Sequence, residues 1–288
     1  MQTILEQITE WLKTMLISGI LGNLSGMFDS VNSQVGEIAT EVGTTPAAFS
    51  PGVFSMIQNV SESVIVPIAG LILTFIACWE LIQMIIDHNN LASFETWIFF
   101  KWIFKTFVAV ELITNCFNIT MAVFDVAQHV ISSSGGIISG STAIDASAMN
   151  VLEDTLMEME LGPLLGLYLQ TFIVGITMWI LSKLIFVIVM GRMLEIYLMT
   201  SMAPIPFSTF GNREQSQVGQ NYLRSLFALG FQGFLIMICV GIYAVMIQSV
   251  ALSDDIIMSI WTVFGYTVLL CFTLFKTGTL SKSVWSAH

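Results

Sequence analysis

Residues 161–190 read LGPLLGLYLQTFIVGITMWILSKLIFVIVM and contain a single charged side chain, that of Lys183. A helix needs about 20 mainly apolar residues to cross the hydrocarbon core of a bilayer. This run exceeds that length, and it is too continuously apolar to be the exposed helix of a soluble domain. The stretch therefore predicts a membrane-spanning helix and identifies the chain as an integral membrane protein.

The composition of the whole chain agrees with this interpretation. Of the 288 residues, 55% are hydrophobic and only 10% are charged, and the mean hydropathy is +0.83. Soluble domains carry about 25% charged residues. Working outward from 161–190, four further apolar stretches lie at 64–86, 97–124, 226–247 and 256–275. The predicted fold class is an all-α integral membrane protein with an N-terminal amphipathic helix and about five transmembrane helices.

Six spans are the alternative, because residues 184–206 are also apolar enough to cross back. Lys and Arg favour cytoplasmic loops and thereby set the orientation. With five spans and the N-terminus outside, every one of the nine Lys and Arg residues except Lys13 falls on the inner side or within the membrane. A sixth span would separate these bases across the bilayer. The charges favour five spans, with the N-terminus outside and the C-terminus inside.

This layout divides the chain into regions. Residues 1–22 have apolar side chains at helical spacing with Glu6, Glu10 and Lys13 between them, which is typical of an amphipathic interfacial helix. A helix packed against the bundle fits the same pattern equally well. The predicted regions that follow are an outer polar segment at 23–62 and a polytopic transmembrane domain at 63–288, with an outer loop at 125–160 and an inner interfacial or re-entrant element at 192–224.

Ionisable side chains within the spans are costly, so each is a candidate for function. They are Glu80, Lys105, Glu111 and Lys183. Glu80 and Lys105 lie at depths of roughly 9 and 12 Å from the inner ends of adjacent spans, so they can meet as an ion pair. A structural pair and a role in a transport pathway both remain open. Glu111 is a candidate for lining a wet interior, for a subunit contact, or for a protonated carboxyl group bonded to a neighbouring helix.

Two further groups of residues carry hypotheses. On the inner side, charged side chains form candidates for docking a cytoplasmic partner, although they also serve as ordinary determinants of topology. These docking candidates are Arg192, Glu195, Arg213 and Arg224. Small residues let helices approach closely, mostly within one chain. The helix-packing candidates are Gly162, Gly166, Gly230 and Gly233.

No catalytic chemistry is predicted. The three histidines form no HExxH motif or metal cluster, and neither a nucleotide-binding P-loop nor a G-x-S-x-G motif occurs in the sequence. The four cysteines lie in apolar stretches without the spacing of a metal site or a disulfide framework. We therefore expect no catalytic site, no metal and no cofactor, and we expect that the protein is not an enzyme.

Residues 202–249 read MAPIPFSTFGNREQSQVGQNYLRSLFALGFQGFLIMICVGIYAVMIQS. This stretch resembles the TrbL-type family, the polytopic inner-membrane subunits of VirB-type type IV secretion and conjugation systems. The compact versions in conjugative elements of Gram-positive bacteria are the most similar. The resemblance extends over nearly the whole chain, including the segment WIFFKWIFKTF at 97–107, and is strongest at 192–282.

The resemblance implies a function that hydropathy alone does not reveal. It implies a non-catalytic channel or scaffold subunit, in the bacterial cytoplasmic membrane, that helps to translocate single-stranded DNA with its attached relaxase. The implied partners are other type IV secretion subunits, cytoplasmic ATPases, a coupling protein, the DNA–relaxase substrate, the lipid bilayer and further copies of the chain. The alternatives are a transporter or channel for a small solute and a purely structural assembly protein.

Overall fold

The computed structural model describes residues 2–87, 96–138, 153–250 and 256–287, and helices dominate all four ranges. The first helices are α1 (Gln2–Val42), α2 (Pro46–Phe49), α3 (Pro51–Val60), α4 (Val66–Asp87), α5 (Thr96–Thr114) and α6 (Cys116–Ile138). A short helical segment at 153–158 follows. The later helices are α7 (Leu161–Ser201), α8 (Pro204–Ser208), α9 (Ser216–Val250) and α10 (Ile256–Val284). A π-helical turn, Ser61–Ile65, joins α3 to α4, and a 3-10 turn, Thr209–Gly211, follows α8.

Four helical runs in the described ranges are long and apolar enough to cross a membrane. They are Pro51–Ile86, Leu161–Gly211, Ser216–Ile247 and Ile257–Val284. A fifth candidate is the bent pair Thr96–Thr114 and Cys116–Ser133. The prediction of an all-α membrane protein with about five spans is therefore confirmed, while the orientation stays a prediction.

The predicted span at 97–124 consists of two helices in the structure, because α5 and α6 meet with a bend of 65°. Polar side chains converge on the backbone at this point. The Asn115 amide donates to the backbone oxygen of Glu111 at 3.0 Å, and the Thr114 hydroxyl donates to that of Val110 at 3.0 Å. Side chains that bond to carbonyl groups of the preceding turn commonly bend a helix. This cluster gives the bend a local cause.

The chain forms two compact units. The first comprises Met1–Gly43, Ser132–Val189 and Leu235–Lys276, and so contains α1 with parts of α7, α9 and α10. Gly19 leaves space for the ring of Tyr168, since an added Cβ would lie 2.5 Å from its Cε2 atom. Four residues further along α1, the Asn23 amide donates to the Thr171 hydroxyl at 3.3 Å. These two contacts hold α1 against the start of α7.

The second unit comprises Thr44–Ile131, Met190–Phe234 and Thr277–His288. Here α8 and the 3-10 turn pack against α4 and α5. The buried ring of Phe207 in α8 packs edge-on to Phe210 at 5.7 Å and to Tyr222 of α9 at 5.9 Å. The Tyr197 hydroxyl donates to the carbonyl oxygen of Pro46 at 2.6 Å. Aromatic packing thus fixes the segment between α7 and α9 on the α4–α5 hairpin.

Two predicted boundaries differ from the structure. The N-terminal helix was expected over 1–22, but α1 continues to Val42. The inner element was expected to begin at 192, but α7 runs unbroken from Leu161 to Ser201 and first breaks before Pro204. Proline lacks the amide hydrogen that a continuing helix needs, which explains the break. Much of the predicted outer loop, 139–152, lies outside the described residues.

Candidate functional site

A cluster of polar side chains connects α4, α5 and the turn before α9. Glu80 of α4 and Lys105 of α5 form an ion pair, with 2.6 Å between Oε1 and Nζ. The second oxygen of Glu80 accepts a hydrogen bond from the Asn212 amide at 2.5 Å. The side chains of Lys105 and Glu80 are 34% and 16% exposed, while Asn212 is buried. We call Glu80, Gln83, Lys105, Asn212 and Glu214 the polar cluster.

Asn212 links this cluster to the start of α9. Its carbonyl oxygen accepts hydrogen bonds from the backbone amides of Glu214 at 2.7 Å and Gln215 at 3.2 Å. An asparagine that accepts from amides two and three residues later caps a helix N-terminus. One side chain therefore caps the turn that leads into α9 with its oxygen and binds the mostly buried carboxylate of Glu80 with its nitrogen.

Further contacts fix the same turn. Gln83 accepts weakly from Asn212 at 3.5 Å and donates to the Glu214 carboxylate at 3.4 Å. The Thr209 hydroxyl accepts from the backbone amide of Gly219 at 3.0 Å. Gly219 is essential to this packing, because an added Cβ would lie 2.8 Å from the carbonyl oxygen of Pro206. The turn is thus held at both of its ends.

Arg213 and Arg224 are the exposed bases beside this turn. Arg213 directly follows the capping residue Asn212, and Arg224 lies in the third turn of α9. We call these two residues the basic face. Both side chains are exposed, so their guanidinium groups can bind carboxylate or phosphate groups of another molecule.

Arg192 differs from these two arginines. Its side chain is buried, with 5% exposure, and its Nε donates to the carbonyl oxygen of Leu229 at 3.4 Å. The guanidinium lies against Gly233, where an added Cβ would be 2.7 Å from Nη2. A buried side chain cannot present its charge to a docking partner, so Arg192 is not part of the basic face.

The remaining charged candidates have separate positions. Glu195 pairs with Lys282 of α10 at 3.2 Å rather than with Arg192, and both side chains are about half exposed. Glu111 is exposed and accepts from the Asn115 amide at 3.3 Å, so it belongs to the bend between α5 and α6. Lys183 is exposed on α7. Among the charged candidates, the structure thus brings Glu80 and Lys105 into an ion pair.

The four glycine candidates divide into two pairs. Gly230 and Gly233 pack closely against α6, since added Cβ atoms would lie 3.1 Å from Ala127 and 2.6 Å from Ile131. Gly162 and Gly166 have no described atom within 4 Å of an added Cβ. The first pair therefore lies at a close contact between α9 and α6, while for the second pair a role in helix packing stays a prediction.

These features define a class of protein: a multi-pass, all-helical membrane protein with an anchored basic turn. Among the described residues, no group of three or more His, Cys, Asp or Glu side chains could hold a metal ion. A family profile described as TrbL/VirB6 plasmid conjugal transfer like protein matches residues 31–204, which is more than half of the chain. The chain belongs to this conjugal transfer family.

The match ends at residue 204, so most of the stretch 202–249 that carried the sequence resemblance lies beyond it. No curated protein matches the chain, and no solved structure does. Family membership makes the chain a membrane subunit of the conjugal transfer and type IV secretion class, which associates with other components of such systems.

Sequence reasoning missed Asn212, although part of its role had a signal. Asn212 is followed three residues later by Gln215, a pattern similar to a capping box and typical of a helix start. Its bond to Glu80 had no local signal, because the two residues are 132 positions apart. The ion pair between Glu80 and Lys105 could be predicted from the sequence only because α4 and α5 are consecutive.

Proposed function

We propose that this protein is a non-catalytic subunit in the cytoplasmic membrane of a type IV secretion machine, where it helps to translocate single-stranded DNA with its relaxase. The match of a conjugal transfer family to residues 31–204 carries this proposal. The membrane-spanning helices support it, because the substrate has to pass the bilayer. The energy would come from cytoplasmic ATPases and a coupling protein.

The basic face is the proposed docking site for a cytoplasmic component. Arg213 and Arg224 are exposed, and Asn212 holds the turn that carries the first of them. A backbone turn that is already held in place loses less conformational freedom on binding than a mobile one. An acidic surface of an ATPase or of the coupling protein, or the phosphates of the arriving DNA, would provide the complementary charge.

Reversing both charges, with Arg213→Glu and Arg224→Glu, should reduce DNA transfer between cells by about tenfold or more, since two charge-assisted contacts are lost. Abundance in the membrane should stay normal, because both side chains are exposed. The matched control is Lys276→Glu, an exposed base on α10 outside the basic face. Equal transfer by the double variant and the control would remove the docking proposal.

The proposed orientation has its own test. In a background whose four native cysteines are serine, we expect Ser133→Cys to react with a membrane-impermeant thiol reagent in intact cells. Ser216→Cys, at the start of α9, should react only after the cells are opened. The positive-inside distribution of Lys and Arg is the physical reason. The reverse labelling pattern would invert the proposed topology.

A conduit and a pure scaffold differ in whether the chain touches DNA. A photoreactive side chain in place of Arg213 or Glu111 should crosslink to transferred DNA during conjugation if the chain lines the route. The same substitution at Met56, an exposed residue of α3, measures background. Normal transfer without any crosslink above that background would favour the purely structural assembly role.

A further inference from the structure

Helix α1 has two faces of different character on opposite sides. One face packs within the first unit. Its buried residues are Ile17, Ile20, Leu24, Met27, Ile38 and Val42. The contacts of Gly19 with Tyr168 and of Asn23 with Thr171 lie at the edge of this face. They hold α1 to α7 and fix which side of the helix points away.

The opposite face forms one continuous stripe along nearly the whole of α1. Its members follow one another at steps of three or four residues. They are Ile4, Ile8, Trp11, Met15, Ser18, Gly22, Ser25, Asp29, Ser33, Gly36 and Thr40. All are exposed except Ser25, which is half-buried. We call these residues the α1 stripe. Steps of three and four keep residues on one side of a helix, and this is the spacing with which a second helix packs alongside.

The chemistry of the stripe changes along its length. Its first part exposes large apolar side chains, with Ile4, Trp11 and Met15 each at least 60% exposed. Small residues follow from Ser18 to Ser25 and would let another helix approach closely. Its last part is acidic, with Asp29 on the stripe and Glu37 beside it, both exposed. Exposure to water is favourable for the acidic part but unfavourable for the apolar part. Contact with a lipid surface is favourable only for the apolar part.

The acidic part lacks a basic partner among the residues that the structure describes. Asp29 accepts from the Ser25 hydroxyl at 3.4 Å, and Glu37 accepts from the Ser33 hydroxyl at 2.9 Å. Two ion pairs of the described ranges are Lys105–Glu80 and Lys282–Glu195, and neither involves α1. Burial and the neighbouring Glu37 carboxylate both raise the pKa of Glu41. The negative charge at this end of α1 is therefore not compensated by these residues.

We infer that the α1 stripe is a docking surface for an amphipathic helix of another subunit, apolar where it faces Ile4–Met15 and carrying Lys or Arg where it faces Asp29 and Glu37. Charge complementarity selects this occupant. A second copy of α1 in parallel would place acidic side chains against one another, which is repulsive. The inference concerns assembly, so it holds whether or not DNA passes along this chain.

Photo-crosslinking in cells that make the whole secretion machine tests this surface. A benzophenone side chain is placed at Trp11, in the apolar part, and in a second variant at Ser33, in the acidic part. Both variants should crosslink to the same polypeptide. Mass spectrometry should locate the crosslink from the Trp11 site among apolar residues of the partner, and the crosslink from the Ser33 site within one helical turn of a Lys or Arg. The control position is Glu6, which is exposed off the stripe, and should give at most about a tenth of the yield.

Charge reversal provides the second arm. Asp29→Lys with Glu37→Lys should lower the yield from the Trp11 site about fivefold or more, because the paired charges become repulsive. Glu158→Lys reverses an exposed acid of the same unit that is not a member of the stripe, and it should leave the yield unchanged. If the double variant does not accumulate, Asp29→Asn with Glu37→Gln removes the charge at constant size, and the yield should still fall.

Several outcomes would overturn the inference. They are a crosslinked product made of two copies of this chain, a crosslink to lipid alone, a crosslink to another segment of the same chain, and a partner without basic residues at the second site. An unchanged yield after charge removal would do the same. Because none of these readouts uses DNA transfer, a failure here is distinguishable from a failure of the proposed function.

Discussion

Replacing Lys105 with methionine should lower the stability of the protein by about 2 kcal/mol, because the mostly buried Glu80 carboxylate loses its counter-ion. The hydrogen bond from Asn212 would be its remaining described partner. Glu80→Gln should cost a similar amount, since it leaves the Lys105 ammonium unpaired. The double variant should recover more than half of the summed loss. The measurement is thermal unfolding in detergent, analysed as a double-mutant cycle.

Lys101→Met is the matched control for this cycle. Lys101 lies one turn earlier on α5, and its side chain is exposed. The same substitution there should change the unfolding temperature little, because exposed charges contribute only about 0–1 kcal/mol. If the losses of Lys105→Met and Glu80→Gln were simply additive, the two side chains would not interact, and the polar cluster would have no energetic role.

Replacing Gly233 with alanine should destabilise the protein by about 1–3 kcal/mol, as overpacking of a filled interior does. The added Cβ would lie 2.6 Å from Cδ1 of Ile131 and 2.7 Å from Nη2 of Arg192. Both atoms belong to side chains that are themselves buried and have little room to move. The expected result is a lower unfolding temperature and a lower abundance in the membrane.

Two companion variants make this result specific. Gly265→Ala on α10 meets no described atom within 4 Å, and it should be neutral or slightly stabilising because alanine favours helix over glycine. Arg192→Met should partly rescue Gly233→Ala, since it replaces a charged group against the new Cβ with a flexible apolar one. Equal tolerance of alanine at Gly233 and Gly265 would contradict the close packing of Arg192.

The sequence was informative wherever local pattern decides structure. Apolar runs located the spanning helices, and the depths of Glu80 and Lys105 in consecutive spans brought the two residues within reach of each other. The angle between α5 and α6 was not predicted, because a Thr and an Asn within an apolar run do not by themselves indicate a bend. Their effect depends on which carbonyl groups their side chains bond to, and only the structure provides that.

The end of α1 shows a different limit. Hydropathy falls after Leu21, so the predicted amphipathic helix ended there. The buried residues Leu24, Met27, Ile38 and Val42 nevertheless continue the helical spacing on one face. The helical spacing of these apolar residues therefore indicated a longer helix, although the mean hydropathy of the segment did not. The burial of Arg192 had no such signal, because the space for its guanidinium is made by a glycine on another helix.

Asn212 couples the stability of two parts of the second unit, the turn before α9 and the polar cluster. Its oxygen accepts from the backbone amide of Glu214 in the turn that leads into α9, and its nitrogen donates to the Glu80 carboxylate. When one group serves two equilibria, the coupling between them is reciprocal. Loss of the turn before α9 should then weaken the hold of Asn212 on Glu80 by the same free energy with which loss of Glu80 weakens that turn. A partner that binds Arg213 and pulls on its turn therefore also acts on Glu80, which is held by the ion pair with Lys105 between α4 and α5.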